Sequence, residues 1–553
     1  MADRHNSEMP GDDTPKKLHR RDFVTGAVTV GAGLAAGATT AWNAWSQGVQ
    51  PPTPMPTIPI ECVPPVPFGQ ANAFGAPGSG PVRVRKSVFD LDASEVSRLR
   101  AAYAELQKIT KRDDPRGWYR QGAVHCWYCS GAGDSLNGME IHGGWWFLAW
   151  HRAYLYFHET ILGSLIGDPS FALPYWDWDS CTDDPKDMTG RNRFPGEVYG
   201  FPTDPDPGSL FDTTRAVGKD DRIPPIYVGP SAMKPILDAR AFTDFGGSGN
   251  EELPVFAQTA NAPQQAGALE AGPHGLVHLW TTDPKNFSGL ANMGMLAAAG
   301  FDPVFFAHHA NIDRLWSVWA GKPQHANPSN ERWLNQQPFY FYDQAQVWTG
   351  IVPAQMLDSE KSLSYRYQPP KWPPTAVVAS ATPEAAPAAI RVAQSQPLSV
   401  PLVALETTAQ PRALPPQPTT LQIALPEAVK PRITALAAPA SPATLVLRID
   451  GVEIPADRGA VVQVFVNQPD IAAPAEGSQP GYVGSIVIVP STGKRSLGLH
   501  PTITRNFGFP LSAEQAAGLA GKDNLSVTLV PVTGANRPPE VLRYRQVYLS
   551  SRQ

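Results

Sequence analysis

The chain has 553 residues, which is too long for a single hydrophobic core, so we expect two or more domains. Its formal net charge is −5 and it has no long basic run, so a nucleic-acid partner is not expected. The apolar fraction of 42% is ordinary for a globular protein, and many of the 59 prolines lie between residues 368 and 442.

The N-terminus predicts an export signal. The pair Arg20-Arg21 precedes an apolar, Gly/Ala-rich run from Val24 to Trp42. This pattern is typical of a twin-arginine leader, and the run barely reaches the ~20 residues of a membrane span. We therefore expect residues 1–46 to be a leader of a bacterial protein that is exported to the periplasm or secreted. A short membrane anchor is the alternative, and no stable membrane insertion is expected.

Residues 47–372 have helical patterns separated by Pro/Gly-rich loops. The first predicted helix follows Asp92, which has Glu95 three residues later, as in a capping box. Two further apolar helices are predicted at 144–166 and 303–320. The sequence thus predicts a mainly α domain.

Two segments of different composition follow that domain. Residues 373–442 are rich in Ala and Pro, and we expect a linker with little fixed structure. Residues 443–553 then show alternation, as at Leu445, Leu447 and Ile449, and five such signals predict an all-β sandwich.

Most of the twelve histidines lie in two blocks. His274 and His278 are four residues apart, so a helix would place both rings on one face. The motifs of a di-iron bundle (Glu-x-x-His) and of a zinc protease (His-Glu-x-x-His) are absent from the sequence, whereas all-imidazole sites suit copper or zinc. Ordinary helix histidines are the alternative. The six candidate metal ligands are His125, His142, His151, His274, His278 and His309.

Two acidic residues could orient these ligands, because a metal-bound imidazole usually donates its other N–H to a carboxylate or a carbonyl. Asp313 lies one helical turn after His309, and Glu159 lies two turns after His151. We therefore predict that these carboxylates support the two histidines.

Two long motifs resemble the tyrosinase / polyphenol oxidase family. His142-x4-Phe-Leu-x-Trp-His151-Arg resembles its first copper motif, and Asp302-Pro-x-Phe-Phe-x2-His309-x3-Asp313 resembles its second. The resemblance implies a dinuclear type-3 site with two copper ions and O2 as co-substrate. His125, His142 and His151 would bind one copper, and His274, His278 and His309 the other. His308 precedes the matching position and would support the site from outside the ligand set.

The chain has four cysteines, which alone allow three complete pairings. The motif His-Cys126-x-x-Cys129 is similar to that of plant-type, catechol oxidase-like members. That similarity implies a thioether between Cys129 and His142 and a disulfide between Cys62 and Cys126. Cys181 would then be free. The alternative for Cys129 is a buried thiol.

Three more positions follow from the resemblance. Glu270 matches a glutamate that holds a water for the phenolic proton, although an exposed loop residue is the alternative. Gly275 stands where efficient monophenol hydroxylases often have Asn, so we expect diphenolase activity to exceed monophenolase activity. Leu296 matches a gate residue that is Phe in many plant enzymes.

The C-terminal region resembles the shielding domain of plant members. The resemblance implies a latent enzyme that oxidises o-diphenols to o-quinones, reduces O2 to water and is activated by a protease. A reversible oxygen carrier and an inactive structural protein are the alternatives.

Overall fold

The fold is described from a computed structural model. It describes residues 71–77, 81–129, 141–204, 208–249, 265–287, 291–336, 338–372, 399–404, 410–438, 444–455, 458–490, 502–533 and 540–552. The predicted leader, 1–46, lies outside these residues. Within them, no helix has both the length and the apolar character that a bilayer crossing requires.

Helices dominate the part of the chain before residue 373. In the described residues the α-helices are α1 (Ala93–Lys108), α2 (Trp118–Cys129), α3 (Phe147–Leu165), α4 (Gly196–Tyr199), α5 (Pro225–Val228), α6 (Pro230–Asp238), α7 (Phe242–Phe245), α8 (Gly275–Thr282), α9 (Val304–Gly321), α10 (Ser359–Leu363), α11 (Lys430–Leu436) and α12 (Ala513–Ala517). A π-helix, Glu270–His274, runs directly into α8. We call residues 71–372 the helical region.

The capped helix that the sequence predicts is α1. The Asp92 carboxylate accepts hydrogen bonds from the backbone N–H groups of Ser94 and Glu95, and Glu95 returns one to Asp92. The helices predicted at 144–166 and 303–320 are α3 and α9, and they pack against each other. Nearly every residue of both is buried, because they are apolar around most of their circumference.

Strands occur on both sides of residue 373 and make up most of the C-terminal part. They are β1 (Asn72–Ala73), β2 (Arg83–Arg85), β3 (Gln265–Ala266), β4 (Phe339–Tyr342), β5 (Trp348–Ile351), β6 (Tyr365–Tyr367), β7 (Ser399–Ala404), β8 (Arg412–Leu414), β9 (Thr419–Ala424), β10 (Thr444–Pro455), β11 (Ala460–Val466), β12 (Tyr482–Ile488), β13 (Thr502–Pro510), β14 (Asn524–Val532), β15 (Leu542–Tyr544) and β16 (Gln546–Arg552). We call residues 399–552 the β region.

The β region consists of two sheets around one aliphatic core. One sheet has seven strands, with the order β3-β13-β10-β15-β8; β16 pairs with β10 and with β7, and β3 comes from the helical region. The other sheet has the order β12-β11-β14-β9. Side chains of both sheets, such as Leu447 and Val464, share that core. A helical region followed by a β region is therefore confirmed.

The prediction that residues 373–442 have little fixed structure is wrong for part of that segment. Strands β7, β8 and β9 and helix α11 lie within it, while 373–398 lie outside the described residues. The strands are short, and β7 contains a proline, so the Ala/Pro-rich composition concealed them. Strand β9 is ordered by tertiary pairing, because it forms a regular antiparallel ladder with β14.

The strands β12, β11 and β14 of the four-stranded sheet are largely buried on both faces. In β11, Val462 and Val464 face the core of the β region, whereas Val461 and Phe465 pack into the core of the helical region. Val487 in β12 does the same. This period of two explains why β11 is apolar at almost every position. The helical and β regions therefore share an extensive apolar interface.

Candidate metal centre

The first histidine cluster is assembled by α2 and α3. His125 lies on α2, His151 is in the first turns of α3, and His142 lies in the segment before α3. Their ring centroids are 5.4–5.6 Å apart, and one ring nitrogen from each lies within 4.8 Å of the others. All three side chains are buried. The structure thus brings the first predicted trio together.

The second cluster is assembled by the π-helix, α8 and α9. The Nε2 atom of His278 lies 3.1 Å from Nε2 of His274 and 3.2 Å from Nε2 of His309. A neutral imidazole has only one N–H, so ordinary hydrogen bonds do not account for three facing nitrogens. Their spacing is close to the roughly 3.3 Å between two nitrogens that each bind one ion at about 2.0–2.1 Å.

The two clusters lie side by side. The rings of His151 and His309 are stacked with their centroids 4.0 Å apart, and those of His142 and His274 are 5.9 Å apart. Phe305 is wedged beneath them, 4.7 Å from His125 and 4.2 Å from His309. The arrangement can hold two metal ions as close neighbours.

Backbone carbonyl groups orient the imidazoles. Nδ1 of His125 lies 2.8 Å from the carbonyl oxygen of Leu296. Nδ1 of His151 lies 2.8 Å from that of Phe147, and Nδ1 of His278 lies 2.7 Å from that of Met293. Nδ1 then carries the proton, and Nε2 presents its lone pair to the cluster. The Nε2 atoms of His125 and His151 are buried and have no hydrogen-bond partner among the described residues. These orphaned acceptors fit metal coordination.

Burial also favours the protonation state that a metal requires. It lowers the pKa of His125, His151, His274 and His309 well below the ordinary histidine value, and neighbouring histidines lower these pKa values further. Burial likewise lowers the pKa of His278, to about 3. Neutral imidazoles are the ligand form, so these side chains need little deprotonation before they bind an ion.

Two other histidines of the same blocks have different surroundings. His308 accepts a hydrogen bond at Nδ1 from Trp178 Nε1 at 3.1 Å, and one of its ring nitrogens lies within 4.8 Å of those of His274, His278 and His309. Its supporting role stays a prediction. His158 lies 2.8 Å from Gln121 Oε1 and 3.1 Å from Tyr103 OH, and is a core histidine rather than a member of either cluster.

The predicted role of Asp313 and Glu159 as partners of ligand histidines is wrong. Asp313 accepts hydrogen bonds from Arg152 Nε at 2.5 Å and from two tyrosine hydroxyls at 2.6 Å. Glu159 binds Arg85 Nε at 2.8 Å and the backbone N–H of Leu173. Each carboxylate lies one or more turns from its histidine, where buried guanidinium groups provide stronger partners than an imidazole.

The predicted catalytic position Glu270 is buried at the start of the π-helix, so the exposed-loop alternative is wrong. Its Oε1 accepts a hydrogen bond of 2.6 Å from the backbone N–H of Gly143, the residue after His142. This bond ties the second histidine block to the first. Gly143 has a φ of +75°, which favours glycine.

The other two predicted positions touch the β region. A Cβ atom at Gly275 would lie 3.1 Å from Cγ1 of Val487. The backbone N–H of Leu296 donates to the carbonyl of Pro490 at 2.9 Å. Sequence reasoning missed the backbone roles of Leu296 and Met293, because carbonyl groups leave no signal in residue type.

Two of the four cysteines have a defined state in the structure. Cys126 is disulfide-bonded, and Cys181 is free and buried. Cys62 and the side chain of Cys129 lie outside the described residues, so the Cys62–Cys126 disulfide and the Cys129–His142 thioether stay predictions.

Comparisons with known proteins agree with this geometry. Residues 115–322 match the common central domain of tyrosinase. A chloroplastic polyphenol oxidase from Malus domestica is 31% identical over an alignment of 563 residues, gaps included, and the alignment covers 95% of this chain and 88% of the relative. The chloroplastic (+)-larreatricin hydroxylase of Larrea tridentata is 31% identical over 66% of this chain. The chain spans only 64% of the length of that relative.

A solved structure of recombinant latent aurone synthase, a polyphenol oxidase, superposes with a TM-score of 0.67 at 26% identity. The match covers 89% of this chain and 94% of that chain. The named relatives with a stated source are plant proteins, so a bacterial origin has no support from them. The chain therefore belongs to the tyrosinase family and resembles its plant polyphenol oxidases along most of its length.

Proposed function

We propose that the protein is a latent, copper-dependent polyphenol oxidase, which oxidises o-diphenols to o-quinones and reduces O2 to water. The observation that carries this proposal is the pair of adjacent histidine clusters, in each of which one ring nitrogen per histidine lies within 4.8 Å of the others. The ligands are His125, His142, His151, His274, His278 and His309. All-imidazole donor sets suit copper, which binds most tightly in the divalent series.

The six histidines would hold two copper ions, which would supply the two electrons that dioxygen takes up on binding. The protein's own contribution is to fix six buried imidazoles close together. Carbonyl groups hold three of the rings, and Phe305 and Phe147 pack against the clusters and exclude water. Rigid ligands keep the site ready for reaction without rearrangement.

Glu270 is the group that we propose for the phenolic proton. The Gly143 N–H fixes Oε1 of this carboxylate beside His142, and Glu270 is four residues from His274. A carboxylate held there can accept the substrate proton directly or through a water. Glu270→Gln keeps the Gly143 hydrogen bond but removes the base. We expect kcat to fall by about 10²–10⁴-fold, as for general-base loss, with copper content unchanged.

The β region supports the proposed latency. Val487 and Val489 lie against Gly275, next to His274, and Pro490 is bonded to Leu296. Cleavage of the linker by a protease is proposed to release the β region and open the site to phenols. Phenolic small molecules are then the only partners required besides the protease.

Gly275 and Leu296 are proposed to set specificity. Glycine at 275 offers no side chain to orient a water, so diphenols should react faster than monophenols. Leu296→Phe tests the gate: we expect lower rates with bulky phenols and unchanged rates with catechol. Equal losses for both substrates would contradict a gate.

Oxygen uptake with catechol, measured before and after limited proteolysis, tests the function. We expect two coppers per chain by metal analysis, little uptake by the uncut chain and strong uptake with quinone formation after cleavage. His278→Ala should lose copper and activity. His325→Gln, which changes another buried histidine beside Trp319, is the matched control and should keep both. Reversible oxygen binding without quinone would identify an oxygen carrier instead.

Two covalent proposals have a simple chemical test. The Cys62–Cys126 disulfide should break on reduction, whereas a Cys129–His142 thioether should survive it. Peptide mass spectrometry of the reduced protein should therefore retain only the second cross-link.

The compartment is proposed from the leader. The paired arginines suit a pathway that carries folded, metal-loaded cargo across a membrane. A reporter fused to residues 1–46 should be translocated, and Arg20→Lys together with Arg21→Lys should abolish the transfer.

A further inference from the structure

The peptide groups on either side of Leu296 connect the β region to a metal-ligand histidine. Its N–H donates to the carbonyl of Pro490 at 2.9 Å, and its own carbonyl accepts the Nδ1–H of His125 at 2.8 Å. We infer that the docked β region positions His125 through this backbone relay and so secures the first metal ion, in addition to covering the site. The inference rests on the proposed function, because it takes the histidine clusters to hold metal ions.

An imidazole needs its outer hydrogen bond to present the inner nitrogen correctly. Loss of such a partner typically costs 10–100-fold in metal affinity. His125 is fully buried and Leu296 O is the partner of its Nδ1. A shift of Leu296 would therefore rotate or free the ring of His125.

The carbonyl that orients His278 is held differently. This carbonyl belongs to Met293. The preceding residue, Asn292, is held by the helical region through both its backbone and its side chain. The backbone N–H of Asn292 donates to Thr214 Oγ1 at 3.1 Å, and its side chain donates to Asp212 Oδ2 at 2.7 Å. Nothing from the β region enters these contacts.

The third oriented histidine is also independent of the β region. His151 donates to Phe147 O, one turn earlier in α3. Of the three carbonyl-held ligands, only His125 thus depends on a residue bound by the β region. Undocking should loosen the first ion, held by the His125 cluster, and leave the second one in place.

Val487 provides the means to undock the β region. Its side chain packs into the core of the helical region, while its neighbours Ile486 and Ile488 face the core of the β region. Val487→Asp should therefore break the interface and spare the sandwich. Ala424→Asp is the matched control, because it adds the same charge at an exposed position on β9, the opposite edge of the same sheet.

The test measures copper release from the full-length, copper-loaded protein to a copper(I) chelator in the presence of ascorbate. For Val487→Asp we expect one of the two ions to leave about 10–100-fold faster than from the wild type. The other ion and the Ala424→Asp protein should keep the wild-type rate. The fast phase should disappear when His125→Ala is added, since only the second ion then remains. Asn292→Ala should instead accelerate the release of the second ion, the one bound by His278.

Unchanged release from Val487→Asp, or equal acceleration of both ions, would overturn the inference. Far-UV circular dichroism shows whether the β region of the variant is folded. If it is not, the wild-type chain cleaved in the linker carries the test with the same expected fast phase. A chain that binds no copper at all would instead refute the proposed function. Two coppers with unchanged release would refute only the backbone relay.

Discussion

The helical region and the β region are stabilised by different chemistry. The helical region buries ion pairs between segments that are far apart in sequence, such as Arg215 with Asp302 and Arg314 with Asp179. In the β region, pairs such as Arg545 with Glu453 are partly exposed, and its core is aliphatic.

The difference follows from what each region must position. A sandwich core of aliphatic side chains needs only the right volume and alternation. A site built from four α-helices, a π-helix and the loop that carries His142 needs fixed distances, and charge-assisted hydrogen bonds provide direction as well as energy. Strands β2 and β6, for example, pair with each other and bring Arg85 and Tyr365 to Asp313 on α9.

The largest effect should come from removing Asp313. Burial raises its pKa, but Arg152 and Arg85 outweigh burial and lower the pKa below the ordinary aspartate value. Asp313→Ala leaves two buried guanidinium groups without this carboxylate, so we expect a loss of about 3–5 kcal/mol in the free energy of unfolding. Denaturant unfolding followed by tryptophan fluorescence measures it.

The control for Asp313→Ala comes from the β region. Glu540 pairs with Arg543, whose side chain is half exposed, and Glu540→Ala should not change stability measurably. A comparable loss in both variants would contradict the distinction between the two regions.

A smaller effect should appear as acid sensitivity of the helical region. Burial lowers the pKa of His158 well below the ordinary value of 6.5. The unfolded chain then takes up a proton below pH 6.5 that the folded chain does not bind, so stability falls as the pH falls. This histidine should contribute about 1.4 kcal/mol per pH unit in that range.

His158→Gln measures that contribution, because glutamine can still bond to Gln121 or Tyr103 but does not titrate. The unfolding free energy of the copper-loaded variant should depend less steeply on pH below 6.5 than that of the wild type. The described part of the β region contains no histidine. Equal slopes in the two proteins would rule out His158 as a source of acid sensitivity.

Local patterns in the sequence predicted much of this architecture. Asp92 and Glu95 cap α1 through contacts within three residues. The alternation at Leu445 and Leu447 predicts β10 because a strand with one core-facing side needs it. The spacing of His274 and His278 predicts their contact for the same local reason.

Long-range partners could not be read from the sequence. Arg85 lies 228 residues from Asp313, and no local pattern pairs them. The role of Leu296 depends on its two peptide groups, so its side chain suggested only a gate. Strand β9 acquires its order from β14, which begins a hundred residues later along the chain.

The smallest predicted effect lies where the two regions meet, at Gly275. The backbone there is helical, with φ −62°, so Gly275→Ala causes no backbone strain. Its Cβ would lie 3.1 Å from Val487 Cγ1 and 3.3 Å from Val487 Cβ, which is closer than a comfortable contact. This overpacking should destabilise the docked state by about 1 kcal/mol and leave the undocked state unaffected.

A penalty of that size should raise the undocked population about five-fold. We therefore expect the uncut Gly275→Ala protein to oxidise catechol several-fold faster than the uncut wild type, while the two cleaved enzymes have the same rate. Ala291→Gly, at a similarly buried small residue of the helical region, is the control and should leave the ratio of uncut to cleaved rates unchanged. If Gly275→Ala changed both forms equally, the contact with Val487 would not restrain the β region, and the side chain at position 275 would act on the reaction itself.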